Sequence, residues 1–503
     1  QAAMDRFKLT KEELSLVKEM EEQKAKADTS KKKTPTVEAV EIEWEGLTQR
    51  RARATIHSSG MGDALVSKDG ETLYYLARFE RGMNLWTTNL RTKETKMLVP
   101  LNANGASMVW DKDQKNIFIS SDGSITKLDV ASSKQDRIAI NGEMAINMRE
   151  EREAMFEHVW RRTKKTFYNK TFHGINWDSY KTDYEKYLPS IGNNYEFSEM
   201  LSELLGELNV SHSGASFGNF NANGDATASL GAFYDAAYAG NGLRIEEVVV
   251  GGPLDKAGLN VKAGAIIEMI DGEMVTTDKD LAQFLNRKSG KIVLLSLNEN
   301  GAKREITVKA ISTGEENGLL YKRWVKRNAD EVERLSGGAL GYVHIPGMSD
   351  GTFRSTYEDI MGKHFLKKGV VVDTRNNGGG DLVADLAVFL SGKQFMNYTN
   401  DVRSNGFEPN FRWTKPSISL ANEANYSDGH CYAFMVQELN VNKLVGTQVP
   451  GTCSFAAWES LMDSGIRWGA PTVGVKTNAG KYLENAATDP DFLVFNEYEV
   501  VKK

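Results

Sequence analysis

The chain has 503 residues, 40% of them hydrophobic, with 62 Lys and Arg against 68 Asp and Glu, a formal net charge of −6 at pH 7 and a mean hydropathy of −0.44. That length accommodates three or four domains, and no run approaches the roughly 20 apolar residues of a membrane helix. The acidic balance argues against a nucleic-acid face, and two cysteines, Cys431 and Cys453, imply neither a disulfide scaffold nor a metal cluster.

In chain order, residues 9–20 have helical apolar spacing with many charges, and residues 21–35, with the run Ser30-Lys31-Lys32-Lys33, predict a flexible polar linker. Residues 64–77 and 84–90 then alternate as strands, and Met108-Val109-Trp110-Asp111, Ile117-Phe118-Ile119 and Ile125-Thr126-Lys127-Leu128 begin a second such group. The period of about forty residues is the usual spacing of β-propeller blades, and two blades do not close a ring. With a Gln1-Ala2-Ala3 start, the chain is expected to be the C-terminal portion of a longer protein, its blades less stable than the rest. A helical stretch follows, ending in a run over 197–208 and the loop Asn209-Val210-Ser211-His212-Ser213-Gly214.

Residues 242–250 alternate as a strand, Gly251-Gly252-Pro253-Leu254-Asp255-Lys256-Ala257-Gly258 predicts a short helix over 253–258, and residues 263–272 return as a strand and turn. This set resembles a PDZ domain, a small β-barrel in which a glycine-rich loop receives a peptide C-terminus. By that resemblance Leu230-Gly231-Ala232-Phe233 would be the loop and Ile245 would line the groove; a spacer without ligand is the competing reading.

The apolar strand Val370-Val371-Val372 runs through Asp373-Thr374-Arg375-Asn376-Asn377 into Gly378-Gly379-Gly380 and a helix over 382–390. Such a turn aims backbone N–H groups at one spot near a positive helix end, which is how an oxyanion hole is built. A second helix, over 429–439, opens just after Tyr426-Ser427-Asp428. Taken singly, a glycine run is most often a turn and Ser-Asp most often a helix cap. The phosphate reading is set aside, because the run lacks the Gly-Lys-Ser/Thr ending of a P-loop and the spaced glycines of a dinucleotide fingerprint. Together the pieces suggest acyl transfer by a serine, which needs a base.

Seven histidines are available: His57, His158, His173, His212, His344, His364 and His430. His212 stands out on a Gly/Ser/Asn-rich loop after a helix, where catalytic groups collect. His344 reads as structural, His430 points along its helix, and His158 and His173 read as packing or surface residues. Spacing alone does not choose among them.

Ser211-His212, the strand and turn ending at Gly380, the block 422–429, Glu484-Asn485 before Asp489-Pro490-Asp491, and the helical entry 158–178 resemble, in the same order, the tricorn protease family, related to C-terminal processing peptidases. The likeness runs from about Ile42 to the C-terminus. After the charged helix and linker (1–45) read from composition, it implies a multidomain α/β and β fold: the last propeller blades (46–141), a helical part of the catalytic region (142–220), an inserted PDZ barrel (225–313) and an α/β catalytic domain (318–503). It implies Ser427 as nucleophile, His212 as general base, and Ser211 and Glu484 completing a Ser-His-Ser-Glu tetrad, with the amides of Asp428 and of Gly378 or Gly379 receiving the oxyanion. It further implies a serine peptidase acting on peptides or unfolded polypeptides as a homo-oligomer, often a hexamer; with neither spaced His pairs on a helix nor a thiol cluster, the expectation is no metal and no cofactor. A cytoplasmic location follows, or a periplasmic one if a signal peptide is missing.

Three departures stand out: Tyr426 where relatives have a small residue, Thr447-Gln448-Val449-Pro450-Gly451-Thr452-Cys453 in place of Thr-Arg-Thr-Trp-Gly-Gly, and a missing Gly-Val between Glu484-Asn485 and Pro490-Asp491. Two rival functions are a degenerate peptide-binding scaffold using the PDZ and propeller, and a non-peptidase serine hydrolase. The latter lacks the usual Gly-x-Ser-x-Gly elbow.

Overall fold

The structure is a computed structural model that describes residues 9–27, 44–48, 51, 53–56, 58–79, 81–218, 223–400, 403–463 and 465–497. It divides into two compact units, Gln1–Ala145 and Ile146–Lys503.

In the first unit, helix Lys11–Ala27 starts at a capping box, Thr10 Oγ1 accepting from the Glu13 amide and Glu13 Oε2 from the Thr10 amide. It runs seven residues past the expected end, so residues 21–27 are helical and not linker; residues 28–43, which hold the lysine run, lie outside the described residues, as does His57. Strands Met61–Val66, Thr72–Arg78, Met83–Asn89 and Thr95–Ala103 form one antiparallel sheet in chain order. Strands Ala106–Trp110, Asn116–Ser121, Ser124–Asp129 and Gln135–Ile138 form another. Asp122 and Gly123, both at positive φ, make the two-residue turn that keeps Ser121 paired with Ser124. Alternation turns Ile117 and Ile119 inward onto Leu76, Leu85 and Leu128, all fully buried.

The second unit contains three cores. Helices Met148–Thr166, Trp177–Glu185 and Asn194–Gly206 bury Phe156, Val159, Phe197, Leu201 and Leu204 against Ile466 and Trp468 from much later in the chain. Strand Gly214–Phe217 completes the junction by pairing antiparallel with Ile466–Gly474, itself paired with Ser454–Ser460. A smaller β unit follows, with sheet order Ala232–Tyr234, Leu243–Val248, Ile266–Ile270, Ile292–Glu299, Ala302–Lys309. The short helix expected over 253–258 is absent: the segment is a series of turns, because Asp255 Oδ2 captures the Gly251 amide at 2.7 Å and Gly258 sits at φ 85°.

The third core belongs to a wholly parallel sheet, Leu340–His344, Gly369–Asp373, Ser417–Ala421, Lys443–Gly446 and Phe492–Leu493. Helices Val383–Leu390 and Asp428–Glu438 pack their apolar sides on it, with Leu386, Phe389, Tyr432 and Val436 buried. Gly369–Asp373 is buried throughout, as parallel strands covered on both faces are. Loops leaving the carboxyl ends of the central strands carry the glycine turn and Ser427. Among the described residues no helix is long and apolar enough to cross a membrane.

Candidate active site

The glycine turn is held by side chains that leave little freedom. Asp373, fully buried, accepts from the Tyr342 hydroxyl at 2.7 Å and from Arg375 Nη2 at 2.6 Å, which compensates the cost of burying its charge. Asn377, also fully buried, donates through Nδ2 to the Ile345 carbonyl at 2.7 Å; its own carbonyl accepts from the Tyr426 amide at 2.9 Å. Its Oδ1 accepts from the Gly379 amide at 2.8 Å. That last bond engages one of the two turn amides named from sequence. The Gly378 amide is held loosely, 3.4 Å from the Pro346 carbonyl. Glycine is required at 379 by space as well as by its φ of 94°: a Cβ there would lie 2.5 Å from Ser427 Cβ.

Ser427 occupies the cap position of helix Asp428–Glu438, yet its side chain makes no capping bond, and its backbone sits at φ 57°, ψ −124°. A cap has extended backbone and a hydroxyl turned onto the helix amides; Ser427 has neither. Instead its amide donates to Thr452 Oγ1 at 3.0 Å. The Asp428 amide stands in the first turn, where N–H groups have no intrahelical acceptor. The buried Asp428 carboxylate accepts from the Leu382 amide at 2.7 Å, tying the two helix starts together, and burial pushes its pKa up.

The histidine side is a relay. Glu484, 6% exposed, accepts from the Ser211 amide at 2.6 Å and from the Ser211 hydroxyl at 3.0 Å. Ser211 Oγ lies 2.7 Å from His212 Nδ1, and Ser454 Oγ lies 3.4 Å from the same nitrogen. Because the carboxylate only accepts, the serine hydroxyl donates to it and accepts from Nδ1–H, which leaves Nε2 with its lone pair. Burial lowers the His212 pKa, with the Glu484 charge pulling in the opposite direction. No hydrogen bond joins Ser427 to His212 among the described residues. The imidazole instead lies against Tyr426, ring centroids 4.6 Å apart at 33°.

A strip that sequence reasoning flagged only as divergent braces both sides. Thr452 holds the Ser427 amide, its own amide donates to His430 Nδ1 at 3.1 Å, and its carbonyl lies 3.5 Å from Ser211 Oγ. Cys453 is disulfide-bonded to Cys431 in the serine-bearing helix, with Cα atoms 5.3 Å apart. Two cysteines imply no disulfide scaffold, and this single bond is not one; a lone pair separated by 22 positions carries no sequence signature. His430 is fully buried, its Nε2 bonded to Thr488 Oγ1 at 3.0 Å, and burial pushes its pKa down to about 4.

Other histidines are accounted for locally. His344 bonds the Arg375 carbonyl and the Tyr321 hydroxyl, His158 pairs with Glu459, and His173 meets the Tyr168 hydroxyl. His364 is buried against the Tyr342 carbonyl.

The groove residues named in the smaller β unit are placed differently from expectation. Leu230 and Ile245 are both 1% exposed and belong to its hydrophobic core, so Ile245 lines no open groove. Gly231 is buried, its amide donating to Ser229 Oγ at 2.9 Å and its carbonyl accepting from the Val249 amide at 2.9 Å, so this loop presents no spare donor at Gly231. Strand alternation put Ile245 on a face, and the sequence pattern does not say which face the core occupies.

Family models match the chain in three places: the tricorn protease C1 domain over residues 148–206, the tricorn protease PDZ domain over 231–313, and peptidase family S41 over 339–494. A tricorn protease homolog of Saccharolobus solfataricus is 28% identical over 354 residues, 68% of this chain and 32% of the relative. The tricorn protease of Thermoplasma acidophilum is 24% identical over 415 residues, 79% of this chain and 38% of that one. The chain thus spans about a third of the length of these relatives. A crystal structure of the tricorn protease superposes with a TM-score of 0.75 at 21% identity, over 86% of this chain and 44% of that one, which establishes a shared fold. In order along Ile146–Lys503 the chain therefore carries a tricorn protease C1 domain, a tricorn protease PDZ domain and a serine-type peptidase domain of family S41.

Proposed function

We propose that the chain hydrolyses peptides with Ser427 as nucleophile, His212 as general base, and Ser211 and Glu484 holding the imidazole in the reactive tautomer. The observation that carries this reading is the relay Glu484–Ser211–His212, with hydrogen bonds of 3.0 and 2.7 Å, beside a serine at a helix start that does not cap its helix. His212 Nε2 would take the proton of Ser427 as Oγ attacks the carbonyl, then deliver it to the leaving amine. The oxyanion would be received by the Asp428 and Gly378 amides, Gly379 being engaged by Asn377. Nucleophile and base are not yet hydrogen-bonded, as is common before substrate binds.

The two four-stranded sheets of the first unit are read as the last blades of a β-propeller, and the smaller β unit, whose strands run as an open sheet and not the closed barrel expected, as a PDZ domain acting as a spacer, since its Leu230, Gly231 and Ile245 are internal. The whole protein is inferred to act on peptides or unfolded polypeptides as a homo-oligomer, a hexamer by family resemblance. Of the two locations, the Cys431–Cys453 bond favours the periplasm, because disulfides persist in oxidising compartments.

The test is labelling with a fluorophosphonate probe, located by mass spectrometry, in the parent chain, Ser427→Ala and His212→Ala. An adduct on Ser427, absent in the first variant and much reduced in the second, is the expected result. A folded parent that takes no label would turn the reading toward a peptide-binding scaffold.

A further inference from the structure

Tyr426 precedes Ser427 and does more than fill space. Its backbone belongs to the nucleophile loop, its amide donating to the Asn377 carbonyl at 2.9 Å and its carbonyl accepting from the Gly429 amide at 2.9 Å. Its side chain belongs to the base. The His212 amide donates to Tyr426 Oη at 2.7 Å, and the phenol ring lies against the imidazole at 4.6 Å. One residue therefore ties together two loops 214 positions apart in sequence.

The backbone shows what the tie holds. His212 and Ser427 both sit at φ 57°, a conformation that non-glycine residues seldom adopt and that persists where the surroundings impose it. The bond to His212 N–H supports the first of these; the Asn377 and Gly429 bonds on either side of Tyr426 support the second.

We infer that Tyr426 is a positioning residue: its hydroxyl sets the placement of the His212 loop against Ser427, and its ring shields the imidazole face from water. This rests on the proposed roles of Ser427 and His212. Among the described contacts, the titratable groups facing the imidazole are Glu484, acting through Ser211, and the Tyr426 phenol itself; Ser211 and Ser454 add hydroxyls at Nδ1. No cation is among them, so shielding by the ring is the contribution that a change at Tyr426 alters. Burial already holds the His212 pKa below its ordinary value.

Two substitutions separate the parts. Tyr426→Phe keeps the ring and removes the acceptor; kcat is expected to fall about tenfold with KM little changed, the loss of one hydrogen bond that orients the base. The acidic limb of its kcat/KM profile stays where the parent has it. Tyr426→Ala exposes the imidazole, and that limb moves to higher pH by about half a unit or more as the imidazole regains water.

The His212 titration is also read directly by NMR of histidine-labelled protein in a Ser427→Ala background, which requires no turnover. The expected order of His212 pKa is Tyr426→Ala above Tyr426→Phe, with Tyr426→Phe close to the Ser427→Ala parent. Equal pKa values in all three, with parent kcat in Tyr426→Phe, would overturn the inference. Failure of the probe to label Ser427 in the parent would overturn the peptidase reading instead, while the NMR titration would still report whether Tyr426 shields His212.

Discussion

Two glycine turns invite the same reading from sequence and differ in what their backbones have to offer. Around Gly231 the amide is bonded to Ser229 and the carbonyl to Val249, and a Cβ would lie 2.7 Å from Pro253 Cδ, so the turn is closed on itself inside a hydrophobic core. Around Gly378 to Gly380 the Gly379 amide is engaged by Asn377, the neighbouring Gly378 amide is held at only 3.4 Å, and Gly379 packs directly against Ser427. A glycine run becomes a binding site when its donors lack partners within the fold. Ser229 and Asn377 capture a glycine amide in the same way, each from two positions upstream; the difference is the adjoining Gly378 amide, which has only a long contact to the Pro346 carbonyl, whereas Pro253 closes over Gly231.

The largest effect should come from placing a methyl group on each turn. Gly379→Ala puts a Cβ 2.5 Å from Ser427 Cβ and 2.9 Å from the Tyr426 carbonyl, at φ 94°. We expect kcat/KM to drop by at least about 100-fold, as when one oxyanion donor is lost. Gly231→Ala meets Pro253 at φ 71° and should cost about 1–3 kcal/mol of stability in the smaller β unit, read by urea unfolding, with turnover preserved in the folded protein. Equal loss of activity in both variants would erase the distinction.

A second test concerns the brace on the Ser427 side, which has no counterpart at Gly231. Replacing both Cys431 and Cys453 by Ser, or reducing their bond, releases the strip carrying Thr452 from the serine-bearing helix. A loop of this size is worth about 3 kcal/mol of stability. Turnover is expected to fall on treatment with dithiothreitol and to return on reoxidation, with no response in the Ser/Ser variant.

A third test is set by pH and leaves turnover at neutral pH unchanged. His430 holds the Thr452 amide as a neutral, buried imidazole with its pKa pushed down to about 4. Its folded value lies below the unfolded value of about 6.5, so on acidification the unfolded chain takes up the proton first. Stability is thus full above about pH 6.5 and falls as pH drops toward 4, by about 3 kcal/mol. Unfolding midpoints measured from pH 7 to 4 should show this slope, and His430→Gln should flatten it.

Much of what positions the candidate site was legible because it is local. The expected helix starts near 382 and 429 fall within a residue of Val383–Leu390 and Asp428–Glu438. Periodicity and punctuation act over a few residues, and there they suffice. His344 likewise reads as structural from its apolar strand and is found bonded on both ring nitrogens. What escaped is pairwise and distant. Nothing near Tyr426 says that its hydroxyl reaches residue 212, nothing near Cys431 announces Cys453, and Ile245 alternates correctly while other members of its core, among them Ile267 and Leu295, lie elsewhere in the chain. The helix expected over 253–258 failed for a different reason: Asp255 turns back on Gly251 and offers the backbone a local alternative.

The distance between Ser211 and Glu484, 273 positions, has a consequence for biosynthesis. A ribosome adding about 5–20 residues per second makes residue 484 roughly a quarter of a minute to a minute after residue 211. Throughout that interval the imidazole has no carboxylate behind it, and strand Gly214–Phe217 has no Ile466–Gly474 to pair with. On the proposed roles, residues 212 to 483 would therefore be made before the relay behind the imidazole is assembled.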